Sequence, residues 1–170
     1  ADNGELGEIA SQFGGLVGNM HTDILSKHLI ERMVDGRVPV VLAGLYTKML
    51  GGKRSPQIEA ACGKNPRLAL AYSQGLGKRY PGENRAEVER AIVADGAWTS
   101  LEYASIMQGR FKMGEDIIAG DLKAAVAYAR GTGNGEGFPG DHKGSVENRI
   151  LQSGDPDLIY EYSRSLKKRW

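Results

Sequence analysis

Residues 65–83 read NPRLALAYSQGLGKRYPGE, from Asn65 to Glu83. Asn65 is a strong helix cap, because its side-chain oxygen satisfies a free backbone N–H at a helix start. Pro66 then takes the first helical position, where a missing N–H does no harm. The stretch therefore predicts a helix that carries Tyr72 on its second turn, with Leu76 four residues on and on the same face. Ser73, directly after the tyrosine, is small enough to let a neighbouring helix approach closely.

The same pattern recurs along the chain. Tyrosines followed by a small residue stand at Tyr46-Thr47, Tyr72-Ser73, Tyr103-Ala104, Tyr128-Ala129 and Tyr162-Ser163. Seven residues before each tyrosine stand Pro39, Asn65, Gly96, Asp121 and Asp155, with Asp95 one place earlier in the third copy. Ahead of the last four lie short stretches with acids early and apolar residues at helical spacing: 56–62, 87–93, 114–119 and 146–151. Each predicts a helix with one buried face. The unit is thus helix, tight turn, helix, glycine loop. Strand-like alternation is nearly absent, and Val38–Leu42, the one β-branched stretch, fits a helix start equally well.

Helices this short depend on tertiary packing, and stacking helical pairs against one another is the natural solution. The expected fold is all-α, a solenoid-like stack of about five short helical hairpins with an N-terminal capping helix. Residues 1–36 form the N-terminal segment, with helices expected over 5–13 and 16–34. Residues 37–170 form the repeat array. The glycine-rich stretch 131–145 predicts a flexible insertion within it.

Composition sets outer limits. The chain has 170 residues, 41% hydrophobic and 25% charged, enough for one ordinary globular core. Glycine, at 24 residues, is about twice as common as usual. A net charge of +1 argues against a whole surface built to wrap nucleic acid, though not against a local basic stripe. No apolar run is long enough for a transmembrane helix. The single cysteine, Cys62, excludes an internal disulfide and a four-cysteine zinc site.

The combination Asn/Asp-Pro-x-x-Ala-x-x-Tyr-Ala/Ser, then Gly-Lys/Arg-Arg-aromatic, then Pro/Gly-x-Glu resembles short tandem helical repeats in bacteriophage proteins. The best copies are 65–83 and 100–115, and the resemblance covers about residues 31–170. It implies an all-helical protein of viral or prophage origin and says nearly nothing about activity. Two copies depart from it. The first has Lys53-Arg54 with no aromatic, and the fourth has Gly131-Thr-Gly-Asn-Gly in place of the basic-aromatic turn.

Candidate site residues cluster at the turn after each second helix: Lys78, Arg79 and Tyr80; Arg110 and Phe111; Lys168, Arg169 and Trp170. Exposed in a row, they would hold a protein partner, or hold phosphates and stack bases. Packed inward, the cations would complement helix dipoles and the aromatics would seat the next unit. Residues 112–160 carry five basic and eight acidic side chains, whereas Arg164, Lys167, Lys168 and Arg169 crowd the last ten residues, as a docking tail or a solvated helix end.

Catalytic patterns are thin. His21 and His28 are seven apart rather than the four of a zinc helix, and His142 lies in the glycine-rich stretch. Cys62 reads as a small buried hydrophobe. The carboxylates Glu59, Glu89, Glu115 and Glu147 occur once per repeat, which points to structure rather than acid–base work. No metal or cofactor is expected. The expectation is a non-catalytic binding or scaffolding protein, phage-encoded, in the host cytoplasm or the virion. It would act through a protein partner or by self-assembly, without a membrane, and the alternative is a nucleic-acid binder using the turn row.

Overall fold

The computed structural model describes residues 31–32, 41–49, 51–131 and 136–166. Contacts divide the chain into two compact units, Ala1–Pro39 and Val40–Trp170. Of the first, only Glu31 and Arg32, both helical, are described. The helix expected over 5–13, and the rest of that over 16–34, lie outside the described residues.

The second unit is all-helical among the described residues. Helix α1 spans Val41–Met49. Four hairpins follow: α2 (Pro56–Cys62) with α3 (Pro66–Leu76), α4 (Arg85–Asp95) with α5 (Ala97–Met107), α6 (Glu115–Gly120) with α7 (Leu122–Gly131), and α8 (Lys143–Ser153) with α9 (Pro156–Ser163). Helices α1, α3, α5, α7 and α9 pack each on the next, while α4, α6 and α8 each pack against two successive members of that row and α2 packs against α3. Every tyrosine of the repeat lies on a helix of the row.

Local chemistry starts the helices where the caps predict. Asn65 Oδ1 accepts from the Leu68 N–H at 3.1 Å, Asp121 Oδ1 from the Ala124 N–H at 3.0 Å and Asp155 Oδ1 from the Asp157 N–H at 2.9 Å. Each bond satisfies a donor that the first helical turn leaves free. Helix α5 departs: Gly96 offers no side chain, and Asp95 instead accepts from the Thr99 hydroxyl at 2.6 Å.

The row packs tightly because small residues line it. A Cβ added to Gly75 would sit 2.5 Å from the Gly44 carbonyl oxygen and 2.7 Å from Thr47 Cβ. Backbone therefore meets backbone where α3 crosses α1. Ala69, Ala71, Ala104, Ala124, Ala125 and Ala129 are buried on the same row, together with Leu68, Leu70 and Val126. Each large aliphatic side chain so buried contributes roughly 1.5–3 kcal/mol, which is how helices of six to eleven residues hold together.

Residues 136–145 do not behave as an insertion set apart from the array. Gly137, Phe138 and Pro139 are buried, Gly140–His142 form a 3-10 turn, and α8 begins at Lys143. The physical reason is Phe138, which fills the place that Phe111 fills one repeat earlier. Residues 132–135 lie outside the described residues.

Candidate functional site

The basic-aromatic turns and the repeated carboxylates and tyrosines belong to a single construction. In the second hairpin, Arg79 donates from Nε to Glu89 Oε1 at 2.6 Å and from its terminal nitrogen to Oε2 at 2.7 Å. The Tyr103 hydroxyl donates to the same Oε1 at 3.1 Å and accepts the Tyr80 N–H at 3.1 Å. One lead-in turn, one helix packed against the row and one helix of the row are thereby tied at a single carboxylate. We term this arrangement a bracket.

The bracket repeats. Arg54 holds Glu59 at 2.8 and 2.7 Å, and the Tyr72 hydroxyl donates to Glu59 at 3.0 Å and accepts from the Ser55 N–H at 2.7 Å. Arg110 holds Glu115 at 2.9 and 2.7 Å, and the Tyr128 hydroxyl donates to Glu115 at 3.1 Å and accepts from the Phe111 N–H at 2.8 Å. In the fourth hairpin the Tyr162 hydroxyl donates to Glu147 at 3.1 Å and accepts from the Phe138 N–H at 2.9 Å. The arginine position is Gly137, so among the described residues this bracket has no guanidinium.

Aromatic edges join one bracket to the next. Tyr72 meets Tyr80 with ring centroids 6.1 Å apart, Tyr103 meets Phe111 at 5.1 Å, and Tyr128 meets Phe138 at 5.4 Å. Such edge-on and tilted pairs add stabilisation beyond the area they bury. The Tyr80 hydroxyl also donates to the Glu59 carbonyl at 2.8 Å. The result is a continuous spine in which Tyr72, Tyr103 and Tyr128 each bond within their own repeat and pack against the lead-in turn of the following one.

The electrostatics follow from burial. Glu59, Glu89 and Glu115 are buried, and each is compensated by a bidentate guanidinium and a phenol. The Arg54 hydrogen bonds hold Glu59 below the usual carboxylate range. The matching bonds push Arg54, Arg79 and Arg110 upward, so all three stay charged. Burial pushes the Tyr72 and Tyr162 hydroxyls up to about 12, and raises Tyr80, Tyr103 and Tyr128 as well.

Of the two readings of these turns, Arg79-Tyr80 and Arg110-Phe111 follow the packed one and not the exposed row. Tyr80 and Phe111 are 0% and 1% exposed, deep in the core. Their arginines face solvent on one side only, because the other side is bonded to glutamate. Each ring packs edge-on against the tyrosine of the preceding repeat, while its backbone N–H bonds the tyrosine hydroxyl two helices further on. Lys78 is exposed. Lys168, Arg169 and Trp170 lie outside the described residues. Arg54-Ser55 brackets without an aromatic, and the lead-in turn of the fourth hairpin is Gly137-Phe138.

Other candidates find ordinary roles. Cys62 is fully buried, and burial pushes its thiol up to about 12, which removes its nucleophilic form. His142 Nε2 lies 2.6 Å from Asp116 Oδ1, and the ring stands edge-on to Phe138. His21 and His28 lie outside the described residues. Among the described residues no three metal-ligating side chains come together, and no helix is long and apolar enough to cross a membrane.

Compared with protein-family models, with curated proteins and with solved structures, the chain matches none of them.

Proposed function

We propose that the chain is a non-catalytic binding or scaffolding protein that acts through a protein partner or by self-assembly. One contrast carries this reading. Inside the array, arginine, glutamate and tyrosine are bonded to one another in the same way in three repeats running. Outside it, equivalent positions differ from copy to copy. Five residues before the repeat tyrosine stand Arg67, Trp98, Lys123 and Asp157, all exposed. Large apolar side chains also face solvent, with Trp98 54%, Tyr160 62% and Leu151 65% exposed. A constant frame with a varied outer surface suits recognition of an extended partner. The resemblance to repeats of phage proteins supports a viral or prophage setting, in the host cytoplasm or the virion.

The reading is tested by size-exclusion chromatography with light scattering, at low and high salt, with absorbance read at 260 and 280 nm. A defined oligomer unaffected by salt, or a monomer that captures a discrete protein partner, is expected. Nucleic acid that travels with the protein and strips off at high salt would overturn it.

A further inference from the structure

The fourth bracket differs from the other three in one respect that points to a ligand. In the filled brackets the guanidinium bonds both carboxylate oxygens while the tyrosine shares Oε1. Glu147 accepts from Tyr162 at Oε1 alone among the described residues, which leaves Oε2 open. Glu147 is partly exposed, whereas Glu59, Glu89 and Glu115 are buried.

Nothing attached at position 137 could fill the gap. Gly137 has φ +82°, and a Cβ there would run into the Tyr162 hydroxyl and lie 3.0 Å from Leu166 Cδ2. The arginines of the two neighbouring hairpins are engaged elsewhere. Arg130 bonds Glu161, Arg164 lies 3.6 Å from Glu161, and Arg149 bonds the Ala119 and Gly120 carbonyls at 2.6 and 3.0 Å.

We propose that Glu147 and Tyr162 form a receptor for an arginine side chain delivered by a second polypeptide. The three filled brackets define the occupant. Each takes the same edge of the guanidinium, Nε with one terminal nitrogen, against the two carboxylate oxygens. That is a planar fork geometry, which an ammonium cannot reproduce. The proposal rests on the binding-scaffold reading only for the source of the arginine.

The molecule supplies its own reporters. The Ser55, Tyr80, Phe111 and Phe138 amides each donate to a bracket tyrosine. The experiment titrates N-acetyl-arginine amide into isotopically labelled protein and follows these four amides by NMR. The Phe138 amide is expected to shift and saturate, with half-saturation at about 10 mM, as a bidentate, charge-assisted pair at a partly buried carboxylate allows. The other three should stay still. N-acetyl-lysine amide should move Phe138 little, and Glu147→Gln should abolish the response while the other three amides report an intact fold.

Three results would overturn the receptor: no saturating shift, an equal response to the lysine compound, or equal shifts in all four amides. A fourth would do the same. If replacing Lys167, Lys168 and Arg169 together by alanine moves Phe138 in the absence of ligand, the chain fills the bracket itself. Failure here leaves the oligomer and partner measurement untouched, so the two readings fail separately.

Discussion

The Tyr103 hydroxyl lies 3.1 Å from Glu89 Oε1 and accepts the Tyr80 N–H at the same distance. One phenol thus orients a buried carboxylate and satisfies a buried backbone donor. Removing it strands that donor, which costs more than the bond itself contributes. Tyr103→Phe and Tyr128→Phe should each destabilise by about 2 kcal/mol in urea unfolding. Arg110 and Tyr128 share Glu115, so a double-mutant cycle with Arg110→Ala and Tyr128→Phe should be non-additive by more than about 0.5 kcal/mol. Additive losses would mean that the bracket is not one unit.

Alkali should unfold the array through its phenols. The folded-state values of Tyr72 and Tyr162 are raised from the ordinary 10 to about 12. The folded state therefore holds those protons more tightly. This stabilisation is fully present below pH 10 and is lost as pH climbs toward 12. Helical circular dichroism should fall in that window, in step with tyrosinate absorbance at 295 nm. On the acid side the sign reverses. Glu59 is lowered, so its contribution is present above about pH 4.3, the unfolded value, and fades as pH drops below it.

Two positions break the repeat at a loss. Among the described residues the Ser100 hydroxyl is buried without a hydrogen-bond partner, where Ala43, Ala69 and Ala125 stand in three of the other copies and Ile159 in the last. Gln108 has φ +52°, where α3 ends on Gly77 in the same left-handed conformation. Ser100→Ala and Gln108→Gly should each stabilise by about 0.5–1 kcal/mol. Their thermal midpoints should rise together in the double variant, since the two sites share no partner.

Cys62 should behave as a clock for opening. It is fully buried with its thiol raised to about 12, so a disulfide reagent at pH 8 should label it only when the second hairpin separates from the first. Labelling should accelerate in Tyr80→Ala, which removes the ring whose hydroxyl bonds the Glu59 carbonyl. A fast reaction in the native protein would contradict the packing around it.

Much of the fold is legible in the sequence because capping is local. Asn65, Asp121 and Asp155 mark helix starts through bonds three residues long or shorter. The small residues after each tyrosine likewise foretell the close crossing at Gly75 and Thr47. The bracket is harder to see. Arginine, glutamate and tyrosine can each be read as a separate series, and only folding brings them to one point. The spacing held the clue: glutamate precedes tyrosine by 13 to 15 residues in every copy. The direction in which Tyr80 and Phe111 point was not legible, because the acceptor for their N–H groups lies 17 to 23 residues further on.

The brackets also say how such a chain could have grown. Arginine and glutamate are five residues apart in the first and third copies and ten in the second, so the connecting loop changes length without moving the bonds. Each filled bracket closes within its own stretch, 54–72, 79–103 and 110–128, and none overlaps another. A duplicated stretch of gene would therefore carry a complete set of bonding partners with it, and a lost one would remove a complete set. What is copied from repeat to repeat is a group of contact points rather than a fixed length, so ancestry here is better sought by matching those points than by searching for a period.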